Sequence, residues 1–130
     1  MKFRFILLTL AALFSLQGCA YFNTYYNTKK LYKEALEENK RRRDEKPTSS
    51  EIQKYDKTIE KASKILQLHS TSKYVDDALL MVGECFFYKQ EYVKALRKFD
   101  ELTTNYPKSP LAPRAELWKA RTLAQQKNLY

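Results

Sequence analysis

Two stretches of the chain match when one is shifted by 37 residues against the other. YDKTIEKASKILQLHSTS lies over YVKALRKFDELTTNYPKS, so that Tyr55 meets Tyr92, Ile59 meets Leu96, Lys61 meets Lys98, Ile65 meets Leu102 and Ser72 meets Ser109. The following stretches, SKYVDDALLMVGECFFYKQ and SPLAPRAELWKARTLAQQK, keep the same register, with Ala78 over Ala115, Leu80 over Leu117, Gly83 over Ala120 and Phe86 over Leu123. A period of this length marks stacked helix pairs, each burying its apolar face on the next. Composition agrees. Two Gly and four Pro in 130 residues leave strand-and-turn folds short of turn residues. Leu, Ala, Lys, Glu and Gln, all good helix formers, are abundant. The expected fold is all-α, an α-solenoid of antiparallel helix pairs in one domain.

Within one unit, Leu79, Val82 and Phe86 make an i, i+3, i+7 stripe. Gly83 lies on that stripe. Glycine inside a helix costs about 1 kcal/mol relative to alanine, and close approach of a partner helix is the natural compensation. Lys89-Gln90-Glu91 is a short polar turn, after which Tyr92, Ala95, Leu96, Phe99 and Leu102 form the apolar face of a second helix. Asn105-Tyr106-Pro107 ends it, because proline disfavours helix at the preceding residue. Residues 76–107 resemble the tetratricopeptide repeat. Leu79, Val82, Gly83 and Phe86 stand at its W-x-x-L-G-x-x-Y positions, and Ala95, Phe99 and Pro107 at its later Ala, Phe and Pro positions. Leu102 replaces a smaller residue.

The N-terminus reads as an address. Lys2 and Arg4 precede an apolar run from Phe5 to Leu16, broken only by Thr9 and Ser15. Twelve residues suit the core of a secretory signal and are too few for a helical span, which needs roughly 20. Leu16-Gln17-Gly18-Cys19 resembles the lipobox of bacterial lipoproteins, with Gln17 departing from the usual small or apolar residue. The resemblance implies cleavage between Gly18 and Cys19, removal of residues 1–18, and acylation of Cys19 on its sulfur and its new amino group. Three acyl chains anchor a protein stably where one does not. Ala20 is not the Asp associated with inner-membrane retention, so the outer membrane is the expected destination, by a sorting rule that varies among bacteria. Export implies an oxidising space. With Cys19 acylated, Cys85 has no partner in the chain and reads as a small buried apolar residue.

NYPKSPLAPRA, the 37-residue period and the lipidated Cys together resemble the BamD-type lipoproteins of outer-membrane β-barrel assembly. The expected organisation is a signal over 1–18 and a helical domain over 19–130, with repeats near 20–70, 72–107 and an incomplete 109–130. Tyr32-Lys33-Glu34-Ala35 resembles the Y-x-x-A that opens the first helix of that family. A long first helix is expected from Ala20 to about Glu45. Tyr25, Tyr32 and Ala35 form its apolar stripe, with Phe22, Tyr26 and Leu36 beside it. Lys46-Pro47-Thr48-Ser49 is the break. The next helix should run from about Ser50, its N-cap, to Leu68, with Glu51 in the first turn.

The formal charge of +9 includes the run Lys40-Arg41-Arg42-Arg43. Glu37, Glu38 and Asp44 lie four residues from Arg41, Arg42 and Lys40, a spacing that supports a solvated helix end. The alternative, a lipid-headgroup patch, requires that helix to lie flat on a membrane. Nucleic acid is not an expected partner for an exported chain.

No catalytic constellation is evident. The one histidine, His69, has no spaced metal ligands, and Glu84 beside Cys85 is a single acid rather than an acid/base pair. The expectation is a non-enzyme, with no metal and no cofactor beyond the lipid on Cys19. What remains is a binding surface. The resemblance to tetratricopeptide repeats places Asp77, Leu80, Glu84, Phe87 and Tyr88 on a concave groove, continued by Arg114, Leu117, Arg121, Ala124 and Gln125. Such a groove suits an extended or helical peptide. For Phe87 and Tyr88 two readings are equal, groove lining or contact with a neighbouring repeat. The last helix, 111–129, lacks its pair and carries Leu117, Trp118 and Leu123, so either the sequence is truncated or another protein covers it. The expected function is a membrane-anchored periplasmic protein-binding scaffold, in outer-membrane assembly or envelope biogenesis. The alternatives are a coordinator of peptidoglycan or cell-division machinery and a non-catalytic tethered subunit of an envelope enzyme or transport complex.

Overall fold

The computed structural model describes residues 22–41 and 46–127, and all regular structure among them is helical. The helices are α1 (22–41), α2 (Ser49–Leu68), α3 (Val75–Tyr88), α4 (Tyr92–Asn105) and α5 (Ala112–Lys127). The signal, Gly18, Cys19, the arginines Arg42 and Arg43, Asp44 and Leu129 lie outside the described residues. Among the described residues no helix is long and apolar enough to cross a membrane.

The N-cap of α2 is Thr48, not Ser50. A capping box needs a hydroxyl at the cap and Glu three residues on, and only Thr48 has that relation to Glu51. Glu51 N donates to Thr48 Oγ1 at 3.2 Å, and Thr48 N donates to Glu51 Oε2 at 2.5 Å.

The 37-residue period is also a period of hydrogen bonds. After α2, His69 N, Ser72 N, Val75 N and Ala78 N donate to the carbonyls of Ile65, His69, Ser72 and Tyr74. After α4, Tyr106 N, Ser109 N, Ala112 N and Ala115 N donate to those of Leu102, Tyr106, Ser109 and Leu111. The hydroxyls repeat as well, Ser72 Oγ accepting from Tyr74 N at 3.2 Å and Ser109 Oγ from Leu111 N at 3.0 Å. His69 is the C-cap of α2. The α3–α4 turn is a different device. Gln90, at φ 63°, stands in the left-handed region. Gln90 N donates to Phe87 O and Glu91 N to Phe86 O, the paired bonds of a Schellman ending.

Helix α3 is central and buries ten of its 14 residues, against three each for α4 and α5. The difference arises because α3 serves two cores. One joins it to α1 and α2 through Tyr25, Tyr32, Ala35, Tyr55, Ile65, Met81 and Val82. The other joins it to α4 and α5 through Leu79, Phe87, Phe99, Leu102, Ala115 and Trp118. Helices α3 and α4 run antiparallel, Gly83 lying against Phe99 while Phe87 meets Tyr92 nearer the turn.

Several expected core positions differ. Phe22 and Tyr26 are 57% and 59% exposed, because among the described residues α1 packs its Tyr25–Tyr32–Ala35 side into the core. Phe86, Tyr92 and Leu96 are only half-buried, at the margin of the α3–α4 contact. Trp118 belongs to the core, under Phe87, Tyr88 and Phe99. Leu117 and Leu123 are exposed at 69% and 47%. Cys85 is a free, buried thiol among the described residues, in line with its reading as a small buried apolar residue.

Candidate partner groove

Tyr25 Oη donates to Asp77 Oδ2 at 2.7 Å, and Tyr32 Oη donates to Glu84 Oε2. Both pairs join residues 52 apart in sequence. The two tyrosines are seven residues apart on α1, and the two acids seven apart on α3, so these helices run parallel in fixed register. Helix α5 continues the row, with Trp118 against Phe87 at 5.0 Å between ring centres and Arg114 Nη2 2.8 Å from Glu84 Oε1. That last contact is an ion pair without the N–H alignment of a hydrogen bond.

Between these three helices lies a groove of about 460 Å³. Helix α1 contributes Lys29, Tyr32, Lys33, Leu36, Glu37 and Lys40, α3 contributes Asp77, Leu80, Met81 and Glu84, and α5 contributes Arg114. The lining combines apolar Leu36, Leu80 and Met81 with four cations and the three acids Glu37, Asp77 and Glu84, of which Glu84 lies deepest. Glu84 is 1% exposed. Burial pushes its carboxyl up to about 7, against the opposing pull of the Arg114 and Arg121 guanidiniums and of Trp118. Burial also raises the Tyr25 hydroxyl, reinforced by its bond to Asp77. Tyr25 is fixed further by stacking on Tyr74 at 4.1 Å and by Lys29 Nζ, which donates to its hydroxyl at 3.0 Å.

Of the residues expected in the groove, the structure brings together Asp77, Leu80, Glu84 and Arg114. Phe87 lies on the covered side of the two readings left open for it. It is buried, with Tyr92 and Trp118 edge-on to it and the Arg121 guanidinium 5.3 Å over its ring. Helix α5 closes over that position. Tyr88 is half-buried, stacked on Tyr55 at 5.7 Å. Leu117, Arg121, Ala124 and Gln125 are exposed on α5 and do not line this groove.

Sequence reasoning missed the α1 wall. The available signal was the register between Tyr32 and Glu84, which is 15 residues longer than the period of the later repeats and so escaped the shift of 37. The charge pattern of α1 also differs in part. Glu37 pairs with Lys40 at 2.9 Å, and Glu38 reaches across to Lys54 of α2 at 2.5 Å. Among the described residues no three His, Cys, Asp or Glu side chains gather as a metal site.

Comparison of the chain with protein-family models, with curated proteins and with solved structures gives no match. The functional reading therefore rests on the residues and their geometry.

Proposed function

We propose that the chain is a lipid-anchored scaffold of the outer membrane, tethered at Cys19, whose tetratricopeptide-type helix pairs bind peptide segments of periplasmic proteins in the α1–α3–α5 groove. The observation that carries this reading is the parallel register of α1 and α3, with Tyr25 on Asp77 and Tyr32 on Glu84. It lines up like-placed helices of successive pairs and leaves one side of them as a groove rather than a packed core. The recurrence of the turn bonds at 37 residues and the close approach at Gly83 support the repeat class. The narrower reading is a BamD-type part in β-barrel assembly, supported by the resemblance of its repeats and lipobox.

Two experiments test the proposal. A photo-reactive residue placed at Lys33 or Arg114 in living cells should capture barrel precursors or an assembly barrel. Capture of cell-wall enzymes would favour the coordinator reading, capture of one fixed complex the tethered subunit, and no capture from either position would overturn the groove. For the anchor, wild type should incorporate labelled fatty acid and Cys19→Ala should not. A wild type without label, with a Cys19→Ala chain that still sediments with membranes, removes the lipoprotein reading.

A further inference from the structure

The outward side of α1 carries two large exposed rings. Phe22 and Tyr26 stand one turn apart, and Lys30 and Lys33, both exposed, continue the row. At 3.6 residues per turn these four positions fall within about 80° of arc. The inward row, Tyr25, Thr28, Tyr32 and Ala35, is buried. Lys29 lies between the two rows, its ammonium turned onto Tyr25.

Charge is unevenly placed along the helix. Residues 22–33 contain three lysines and no acid. The acids Glu34, Glu37 and Glu38 all follow, and Glu37 and Glu38 are paired with Lys40 and Lys54. An ordinary solvated face mixes both signs along its length, as the second half of α1 does. A protein interface depletes lysine at its centre. The row shares its surface with Glu34, Glu37 and Glu38 of the second half of the helix, yet its exposed aromatic rings flanked by Lys30 and Lys33 suit the membrane–water boundary, where amphipathic rings sit at headgroup depth and lysines meet anionic lipid.

We infer that the Phe22–Tyr26–Lys30–Lys33 row seats on an anionic lipid surface, so that the first half of α1 rests against the bilayer beside its tether. The inference rests on the reading of Cys19 as the anchor, three residues before Phe22. The contact orients the domain, and Lys33 marks the border between the lipid-facing row and the groove.

The test uses the full chain carrying Tyr26→Trp, reconstituted into vesicles of phosphatidylcholine with or without phosphatidylglycerol. Flotation reports the anchor, and quenching by bromine-labelled lipid reports the row. The added tryptophan should shift to the blue and lose emission in the anionic vesicles. The double variant Lys30→Glu with Lys33→Glu should still float while losing that quenching, since each lysine is worth about fivefold at such a surface. A chain that floats while its added tryptophan stays open to iodide and unquenched by lipid overturns the inference and leaves the anchor standing. Shielding from iodide without lipid quenching means that a protein, such as a second copy, covers the row, and also overturns it. A chain that does not float overturns anchor and inference together. Should Tyr26→Trp misfold, Phe22→Trp gives the same readout.

Discussion

Gly83 lies so close to the ring of Phe99 that a Cβ there would stand 2.8 Å from Cδ1 and 2.9 Å from Cζ. The Phe99 ring cannot swing aside. It is fully buried and stacked on Trp118 with centres 6.1 Å apart. The missing side chain is what lets α3 and α4 meet at this distance.

Gly83→Ala should therefore destabilise the protein. Overpacking costs about 1–3 kcal/mol, which exceeds or cancels the gain of about 1 kcal/mol in helix propensity. Urea denaturation should show a lower midpoint, and Phe99→Leu added to Gly83→Ala should recover part of the loss. An unchanged or raised midpoint would show that the helices part without cost.

Glu84 makes stability depend on pH. Its folded carboxyl titrates near 7 against an ordinary 4.5. Within that window the folded chain holds a proton that the unfolded chain has released. Stability should fall as pH rises through it and level off above it, by up to about 3 kcal/mol. Tyr32 of α1, Tyr88 of α3 and Arg114, Trp118 and Arg121 of α5 are the groups that face this carboxyl. Glu84→Gln keeps an acceptor for Tyr32 and should flatten the slope, as thermal melts across the pH range would show.

Gln90 occupies a left-handed position that favours glycine. Gln90→Gly should raise stability by up to about 1 kcal/mol, the lost side-chain strain exceeding the added freedom of the unfolded chain. A fall in the denaturation midpoint would show that the Gln90 side chain contributes more to the turn than its backbone costs.

The Cys85 thiol is buried, and burial raises it well above its ordinary value. Maleimide should not label it in the native protein and should do so readily in denaturant. Native labelling at a rate typical of a free thiol would mean that the α2–α3 core opens far below global unfolding.

Much of the architecture was legible because it is local. The helix pairs, their 37-residue period, the Gly83 approach and the stop before Pro107 all follow from residues whose causes lie within a few positions. The N-cap of α2 is ambiguous in the sequence because three hydroxyl residues, Thr48, Ser49 and Ser50, stand in a row, and only the three-residue relation of Thr48 to Glu51 separates the cap from its neighbours. The groove was half legible. The resemblance to tetratricopeptide repeats put Asp77, Leu80, Glu84 and Arg114 on one surface, whereas the α1 wall depends on a pairing across 52 residues.

By itself the sequence determined which residues share a face of each helix, since a period of 3.6 is written in the order of side chains. Tertiary structure alone decided what covers each face. Phe87 and Glu84 sit three residues apart on α3, and the pattern treats them alike. Helix α5 seals Phe87 into the core, while Glu84 is left at the groove floor with Tyr32 and Arg114. Burial and protonation are set by neighbours brought from distant parts of the chain, and no local pattern encodes the distance to them.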